Sequence, residues 1–195
     1  LKSLKPAIIV GTGGYASGLP LIAGLHLKIP TLIQDQNSIP GLITKKLNKK
    51  IDKICLAYDI AASKLNKSKC IITGNPIKND LKQLERTSSC KKMNLDDSKK
   101  NILILGGSQG ASPINEHFLK HINNYIDANF QIIWQCGKRD FKFLNSKIEN
   151  KNIIIIDFIE DMSLVYSTAD LVISRAGAIT ISELAYMGKA MILIP

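Results

Sequence analysis

Apolar residues fall along this chain in short, uninterrupted, isoleucine-rich runs separated by stretches of helical period. The runs are 7–11 (AIIVG), 31–34 (TLIQ), 53–57 (KICLA), 70–74 (CIITG), 101–106 (NILILG), 131–136 (QIIWQC), 152–157 (NIIIID), 170–174 (DLVIS) and 190–195 (AMILIP). Runs of this length without polar alternation suit parallel strands covered on both faces. Between them, 113–126 carries Ile114, Phe118, His121, Ile122 and Tyr125 at spacings of three and four, the period of an amphipathic helix. Strand and helix signals alternate throughout, which predicts an α/β chain with parallel sheets and right-handed crossovers.

The pattern weakens once. Residues 85–100 (ERTSSCKKMNLDDSKK) are poor in apolar positions and rich in charge and serine, so they read as a solvated loop or weak helix between two folding units. Just ahead, GNPIKND (74–80) ends a strand abruptly. The expected division is a first unit over 1–76, a hinge and linker over 77–100, and a second unit over 101–195.

Each unit drives a strand into glycines, IIVGTGGYASG in the first and ILILGGSQGAS in the second. A buried strand, a Gly-rich turn and a helix N-terminus together grip anions, because free N–H groups and the positive end of the helix dipole converge there. The second turn is not a P-loop, for it has no lysine, and Gly106, Gly107 and Gly110 are spaced G-G-x-x-G where a dinucleotide turn needs G-x-G-x-x-G.

Composition narrows the class. Of 195 residues, 45% are hydrophobic and 22% charged, the balance of a globular chain. No apolar run is long enough to span a bilayer, and the first residues lack the cleavage site of a signal peptide. Cys55, Cys70, Cys90 and Cys136 form no C-x-x-C pair, so reduced thiols are expected and no zinc site. His117 and His121 lie four apart on a predicted helix, but without a third ligand nearby, and His26 matches no motif, so no metal is expected.

Charge is lopsided. Residues 1–100 hold 18 Lys and Arg against 7 Asp and Glu, a net of +11, while 101–195 hold 8 against 9. Two readings stand side by side: an anionic partner such as an acidic membrane surface, or compositional drift towards AT-rich codons, since 23 of the 26 cations are Lys. Nucleic acid is not expected, because the interleaved aromatics of a single-strand binder are missing.

Six stretches in one order tie these signals together: GTGGYASG (11–18), IPTLIQDQNSIPGL (29–42), GNPIK (74–78), GGSQGA (106–111), FIEDM (158–162) and SRAGAITISELAYMGKAMILIP (174–195). In sequence and spacing the chain resembles the MurG family of peptidoglycan N-acetylglucosaminyltransferases. The resemblance implies a GT-B fold, two Rossmann-like doubly wound domains facing a cleft, both incomplete here. It implies inverting transfer of N-acetylglucosamine from UDP-N-acetylglucosamine to undecaprenyl-pyrophosphoryl-N-acetylmuramyl-pentapeptide, with no metal or cofactor, at the cytoplasmic face of the bacterial plasma membrane.

The same resemblance implies roles residue by residue. Ser108 would contact the donor phosphate, Ile159 would read the uracil edge through its backbone, and Ala178, Ile179, Thr180, Ile181, Ser182 and Glu183 would form a donor segment in which Glu183 holds the ribose. Asn37 would reach the donor from the first domain, and Lys78 stands where the family carries Arg, keeping the charge without the planar fork. Gly13, Gly14, Tyr15, Ser17 and Gly18 would face the acceptor's pyrophosphate; read as residues alone they equally form a turn that needs glycine for backbone reasons. Leu21, Ile22, Leu25 and Lys28 lie on the helix nearest the expected membrane patch, or on an ordinary buried amphipathic helix. Gln34, Asp35 and Gln36 depart from the family's His-Glu-Gln.

The family's G-G-T-G-G-H loop, with the His proposed as general base, and its Gln-rich donor loop match nothing in this sequence, so a fragment lacking both ends is expected and the catalytic residue is not assigned. Two alternatives follow: a catalytically incomplete UDP-sugar-binding module, and another GT-B enzyme such as a UDP-N-acetylglucosamine 2-epimerase-like protein.

Overall fold

All nine apolar runs become strands, but the covering of both faces expected for them holds in full only at 101–105 and 131–135; at the sheet edges Val10, Ile71, Ile72 and Ile192 are about half exposed, because among the described residues no element lies over them. The computed structural model describes residues 3–107 and 110–195. It divides into two units, Leu1–Pro76 and Ile77–Pro195.

The first unit is a four-stranded parallel sheet in the order β1 (Ile9–Gly11), β2 (Thr31–Asp35), β3 (Lys53–Leu56), β4 (Cys70–Ile72). Helix α1 (Gly18–His26) and the short α2 (Leu42–Leu47) supply Leu21 and Leu47 to a core with Ile9, Ile33, Ile54 and Leu56. Leu21 is wholly buried there, while Ile22 on the same helix is 40% exposed. That pair separates the two readings of the helix: its inward stripe is core, and its outward face carries exposed apolar groups that include Leu19.

The second unit has five parallel strands in the order β7-β6-β5-β8-β9: β5 (Asn101–Leu105), β6 (Gln131–Gln135), β7 (Ile153–Ile156), β8 (Leu171–Arg175) and β9 (Ala190–Ile194). Alternation along β5 divides its side chains between two cores. Leu103 and Leu105 join Ile133, Val172, Val165, Tyr166 and Leu184 on one face. Ile102 and Ile104 join Ile132, Trp134, Ile114, Phe118 and Leu144 on the other. Helices α4 (Ser112–Asp127) and α5 (Lys138–Lys147) therefore cover one face, and α3 (Arg86–Lys92), α6 (Met162–Thr168) and α7 (Ala178–Tyr186) the other. Each fully buried Leu or Ile in such a layer contributes roughly 1.5–3 kcal/mol, so both helix layers are needed to hold the sheet.

Residues 77–100, whose composition reads as a solvated linker, fold onto this second unit. The Lys82 amide donates to Ser163 Oγ (3.2 Å) and the Leu84 amide to Ser167 Oγ (2.8 Å). Arg86 donates to the Thr168 carbonyl (2.7 Å) and pairs with Asp170 (3.1 Å). The attachment escapes composition because its partners are backbone amides and one arginine, and its apolar anchors Leu81, Cys90 and Leu95 are widely spaced.

Candidate functional site

The chain leaves β5 towards β6 and β7 on one side, then returns to build β8 and β9 on the other. Beyond the carboxyl ends of β5 and β8 the connections diverge and leave a crevice, the place where open α/β sheets bind ligands. A cavity of about 430 Å³ lies there, lined by the glycine turn (Gly106, Gly107, Gly110), by Gln135, Ser174, Arg175 and Gly177 at strand ends, and by Met162, Tyr166, Thr180 and Glu183 from α6 and α7.

The turn has glycine for steric reasons. A Cβ on Gly106 would come within 2.8 Å of the Gln135 carbonyl oxygen, and one on Gly110 would overlap that of Cys136. Gly107 and Gly110 also take φ of 75° and 76°, where side chains are strained. The backbone can therefore lie against the end of β6, held by the Gly106 amide donating to Gln135 O (2.9 Å).

Two helix N-termini adjoin the cavity. Helices α3 and α6 carry their own carboxylate caps, Glu85 accepting from Thr87 and Ser88, and Asp161 from Leu164. Helices α4 and α7 start at Ala111 and Gly177 without a side-chain cap and without an acid in the first turn. The first turn of α7 thus keeps a positive field where an anion would lie, whereas at α4 the Asp140 carboxylate of α5, bonded to Asn115 (2.7 Å), offsets part of it.

Glu183, half-buried on α7, accepts at Oε2 from the Tyr166 hydroxyl (3.0 Å). Burial, and then the Glu183 charge, push the Tyr166 phenol well above its usual range, so it stays a donor. One carboxylate oxygen is thus fixed by protein, leaving the other able to accept from a ligand hydroxyl. Together the elements can hold an anion on backbone amides and a hydroxyl on a carboxylate.

The expected site residues distribute unevenly. Thr180 and Glu183 line this cavity, and Ala178, Ile179, Ile181 and Ser182 share their helix, where Ser182 Oγ donates to Ala178 O (2.9 Å). Ser108 lies outside the described residues. Ile159 turns its side chain into the core at 7% exposure. Lys78 lines a different cavity of the same unit, with Asp80, Lys82, Glu160, Asp161 and Ser163. Sequence reasoning missed Tyr166 and Gln135, while Met162 stood inside the quoted FIEDM without a role. Arg175 stood inside a quoted motif, and its place at the end of β8 was the available signal.

In the first unit, Gly13, Gly14 and Tyr15 line a smaller, mainly apolar cavity with Gly41, Leu42, Ile43 and Thr44. Gly13 and Gly14 take φ of 92° and 72°, Ser17 Oγ closes the turn by donating to Gly14 O (2.9 Å), and Gly18 opens α1 close to Ile43. Asn37 sits in a turn organised by Asp35, which is 4% exposed and accepts from the amides of Asn37 (3.3 Å) and Gly41 (2.9 Å). Gln34 donates to Asn75 Oδ1 (3.1 Å), and Asn75 donates to Gln36 O (3.3 Å), tying QDQN to GNP. Among the described residues no group of three or more His, Cys, Asp and Glu could hold a metal ion, and no helix is long and apolar enough to cross a membrane.

Comparison with known proteins agrees with this architecture. The family model for the glycosyltransferase family 28 N-terminal domain matches residues 1–56, and that for the glycosyltransferase family 28 C-terminal domain matches 101–195. A UDP-N-acetylglucosamine–N-acetylmuramyl-(pentapeptide) pyrophosphoryl-undecaprenol N-acetylglucosamine transferase of Flavobacterium psychrophilum is 46% identical over all of this chain and 54% of its own length. The transferase of the same name from Bacillus cytotoxicus is 36% identical over all of this chain and 55% of its own. The crystal structure of Acinetobacter baumannii MurG superposes with a TM-score of 0.70 at 30% identity, covering all of this chain and 54% of that one. A Methanocaldococcus jannaschii UDP-GlcNAc 2-epimerase shares the fold at a TM-score of 0.64 and 16% identity, covering 99% of this chain and 61% of its own. The chain spans about half the length of the curated relatives it matches. With both domain models matching in order and a parallel doubly wound sheet behind the glycine turn, the chain belongs to glycosyltransferase family 28.

Proposed function

We propose that the cavity beyond β5 and β8 binds the UDP portion of UDP-N-acetylglucosamine, and that the protein transfers N-acetylglucosamine to undecaprenyl-pyrophosphoryl-N-acetylmuramyl-pentapeptide. The observation that carries the reading is the convergence of the glycine turn, the α7 N-terminus and Glu183 on one cavity. Backbone amides and helix dipoles would hold the diphosphate and stabilise the charge that grows on it as the sugar bond breaks. Glu183 would accept from the ribose, Ser108 would add a hydroxyl at the phosphate, and the Ile159 backbone would face uracil. Lys78, which lines a different cavity of the same unit, and Asn37 of the first unit are carried as donor contacts by the family resemblance alone.

The names of the relatives support the lipid-linked acceptor, with the Gly13–Gly18 loop as its pyrophosphate contact. The basic first unit and the exposed Leu19 and Ile22 of α1 support a peripheral position at the cytoplasmic face of an anionic membrane. No cofactor or nucleic acid is part of this reading. The low identity of the epimerase structure supports a shared fold and carries nothing about epimerisation.

Titration of the chain with UDP, against ADP as control, tests the donor site: UDP should bind more tightly, and Glu183→Ala should weaken it several-fold. Equal affinity for both nucleotides, or an unchanged Glu183→Ala protein, would refute the assignment. Transfer of label from UDP-N-acetylglucosamine into the lipid acceptor tests the whole reaction; donor binding without label in lipid would leave a UDP-sugar-binding module.

A further inference from the structure

The glycine turn has no side chains of its own at Gly106, Gly107 and Gly110, so something else must fix its distance from the first turn of α4. The end of β6 supplies one half of that fixture, through Gln135 O, which accepts from the Gly106 amide, and Cys136 O, against which Gly110 packs. Asn115 supplies the other. It sits in the first turn of α4 at 3% exposure, absent from the lining of that cavity and lining instead a smaller one with Ser112 and Asp140.

Every polar atom of its side chain is engaged. Asn115 Nδ2 donates to Cys136 O (2.9 Å) and to Asp140 Oδ2 (2.7 Å), while Oδ1 accepts from Trp134 Nε1 (3.0 Å). Three elements, β6, α4 and the start of α5, are thereby locked around one amide. The same carbonyl that limits the approach of Gly110 is the one Asn115 holds.

We infer that Asn115 is a positioning residue: by clamping Cys136 O to the first turn of α4 it sets the geometry of the phosphate-holding turn without touching the ligand. This inference rests on the donor-site reading above. A hydrogen bond to an amide orients a carbonyl to within a few tenths of an ångström, and backbone donors lose effect steeply when misaligned. Asparagine is suited because it gives two donors and one acceptor in one plane. Asp, Leu or Ser each remove the donation to Cys136.

The test separates that bond from the two that only stabilise. In the double variant Asn115→Asp with Asp140→Asn, the new carboxylate still accepts from Trp134, and the amide at 140 donates to the carboxylate at 115; the donation to Cys136 O is lost, and so is the Arg139–Asp140 pair (2.9 Å), which Asp140→Asn alone loses as well. Affinity for UDP and for uridine is measured by calorimetry in the wild-type chain, the double variant and Asp140→Asn alone, with thermal unfolding alongside. The expected result is a folded chain of lowered stability, because a carboxylate oxygen then faces Cys136 O, with uridine affinity unchanged and UDP affinity about tenfold below that of Asp140→Asn alone, the equivalent of one lost charge-assisted contact. If the double variant fails to fold, Asn115→Ser, which removes the bonds to Trp134 and Asp140 as well but keeps the Arg139–Asp140 pair, is compared with wild type on the ratio of UDP to uridine affinity.

An unchanged ratio of UDP to uridine affinity in the folded variant overturns the role of Asn115 while leaving the donor site intact. A wild-type chain with no preference for UDP over uridine overturns the diphosphate reading itself, and this inference with it.

Discussion

The Tyr166 hydroxyl, wholly shielded from solvent, donates a 3.0 Å hydrogen bond to Glu183 Oε2 across the α6–α7 boundary. The carboxylate that the cavity offers to a ligand is therefore aimed by a buried phenol. Tyr166→Phe removes that bond while keeping the ring in its core position. UDP affinity should fall about three- to tenfold, and the preference for UDP over 2′-deoxy-UDP should shrink, since a freed carboxylate no longer holds one hydroxyl geometry. Competition binding measures both, and an unchanged preference would show that Glu183 needs no support.

Gly110→Ala drives a methyl into the Cys136 carbonyl oxygen at a residue with φ of 76°. The turn must move, and strain of about 1–3 kcal/mol is expected in urea unfolding, together with loss of UDP binding. Gly188→Ala, also at positive φ but with open space around it, serves as the control for backbone strain alone. It should destabilise less and leave UDP binding unchanged.

Asp170 joins residues 77–100 to β8 through Arg86 (3.1 Å) and Lys100 (3.2 Å), and accepts from the Asn101 amide (2.8 Å). Burial works to raise its pKa, but the Asn101 amide, Lys100 and Arg86 outweigh it and hold the carboxyl below its usual value. A folded-state pKa lower than the unfolded one contributes stability above the unfolded value and loses it as pH falls through the folded one. Unfolding by urea should therefore show a loss of stability as pH drops below about 4, and Asp170→Asn should flatten that loss. At pH 7 the variant should be about 1–3 kcal/mol less stable, because Arg86 and the Asn101 amide lose a charged acceptor.

Asp35 gathers two backbone amides, those of Asn37 and Gly41, beneath the 36–41 turn. Asp35→Ala should strip both of their acceptor and speed their hydrogen exchange, leaving strand amides of β2 protected. Exchange followed by mass spectrometry reads this directly. Unchanged protection at 36–41 would mean that the Gln34–Asn75–Gln36 bonds hold the turn unaided.

Much of this was legible in the order of residues. All nine strands follow from their apolar runs, while the covering of both faces holds at β5 and β6 and fails at the edges, where Val10, Ile71, Ile72 and Ile192 are exposed. Helix α4 follows from the recurrence of Ile114, Phe118, Ile122 and Tyr125, and the glycine turn from spacing that excludes both common nucleotide loops. The family was legible because six motifs stand in one order, a property of sequence alone.

The tertiary structure decided what depends on distant partners. The attachment of residues 77–100 needed Ser163, Ser167 and Asp170, some eighty positions away, to be brought beside Lys82, Leu84 and Arg86. Tyr166 reads as one more aromatic on a short helix until α7 brings Glu183 to its hydroxyl, and Asn115 as a polar residue in a helix until β6 ends against it. A hydrogen bond is set by direction and distance in space, and neither is encoded in the local period that specifies a strand or a helix. Sequence thus determined the elements and the family, and packing determined which side chains aim the groups that the cavity presents.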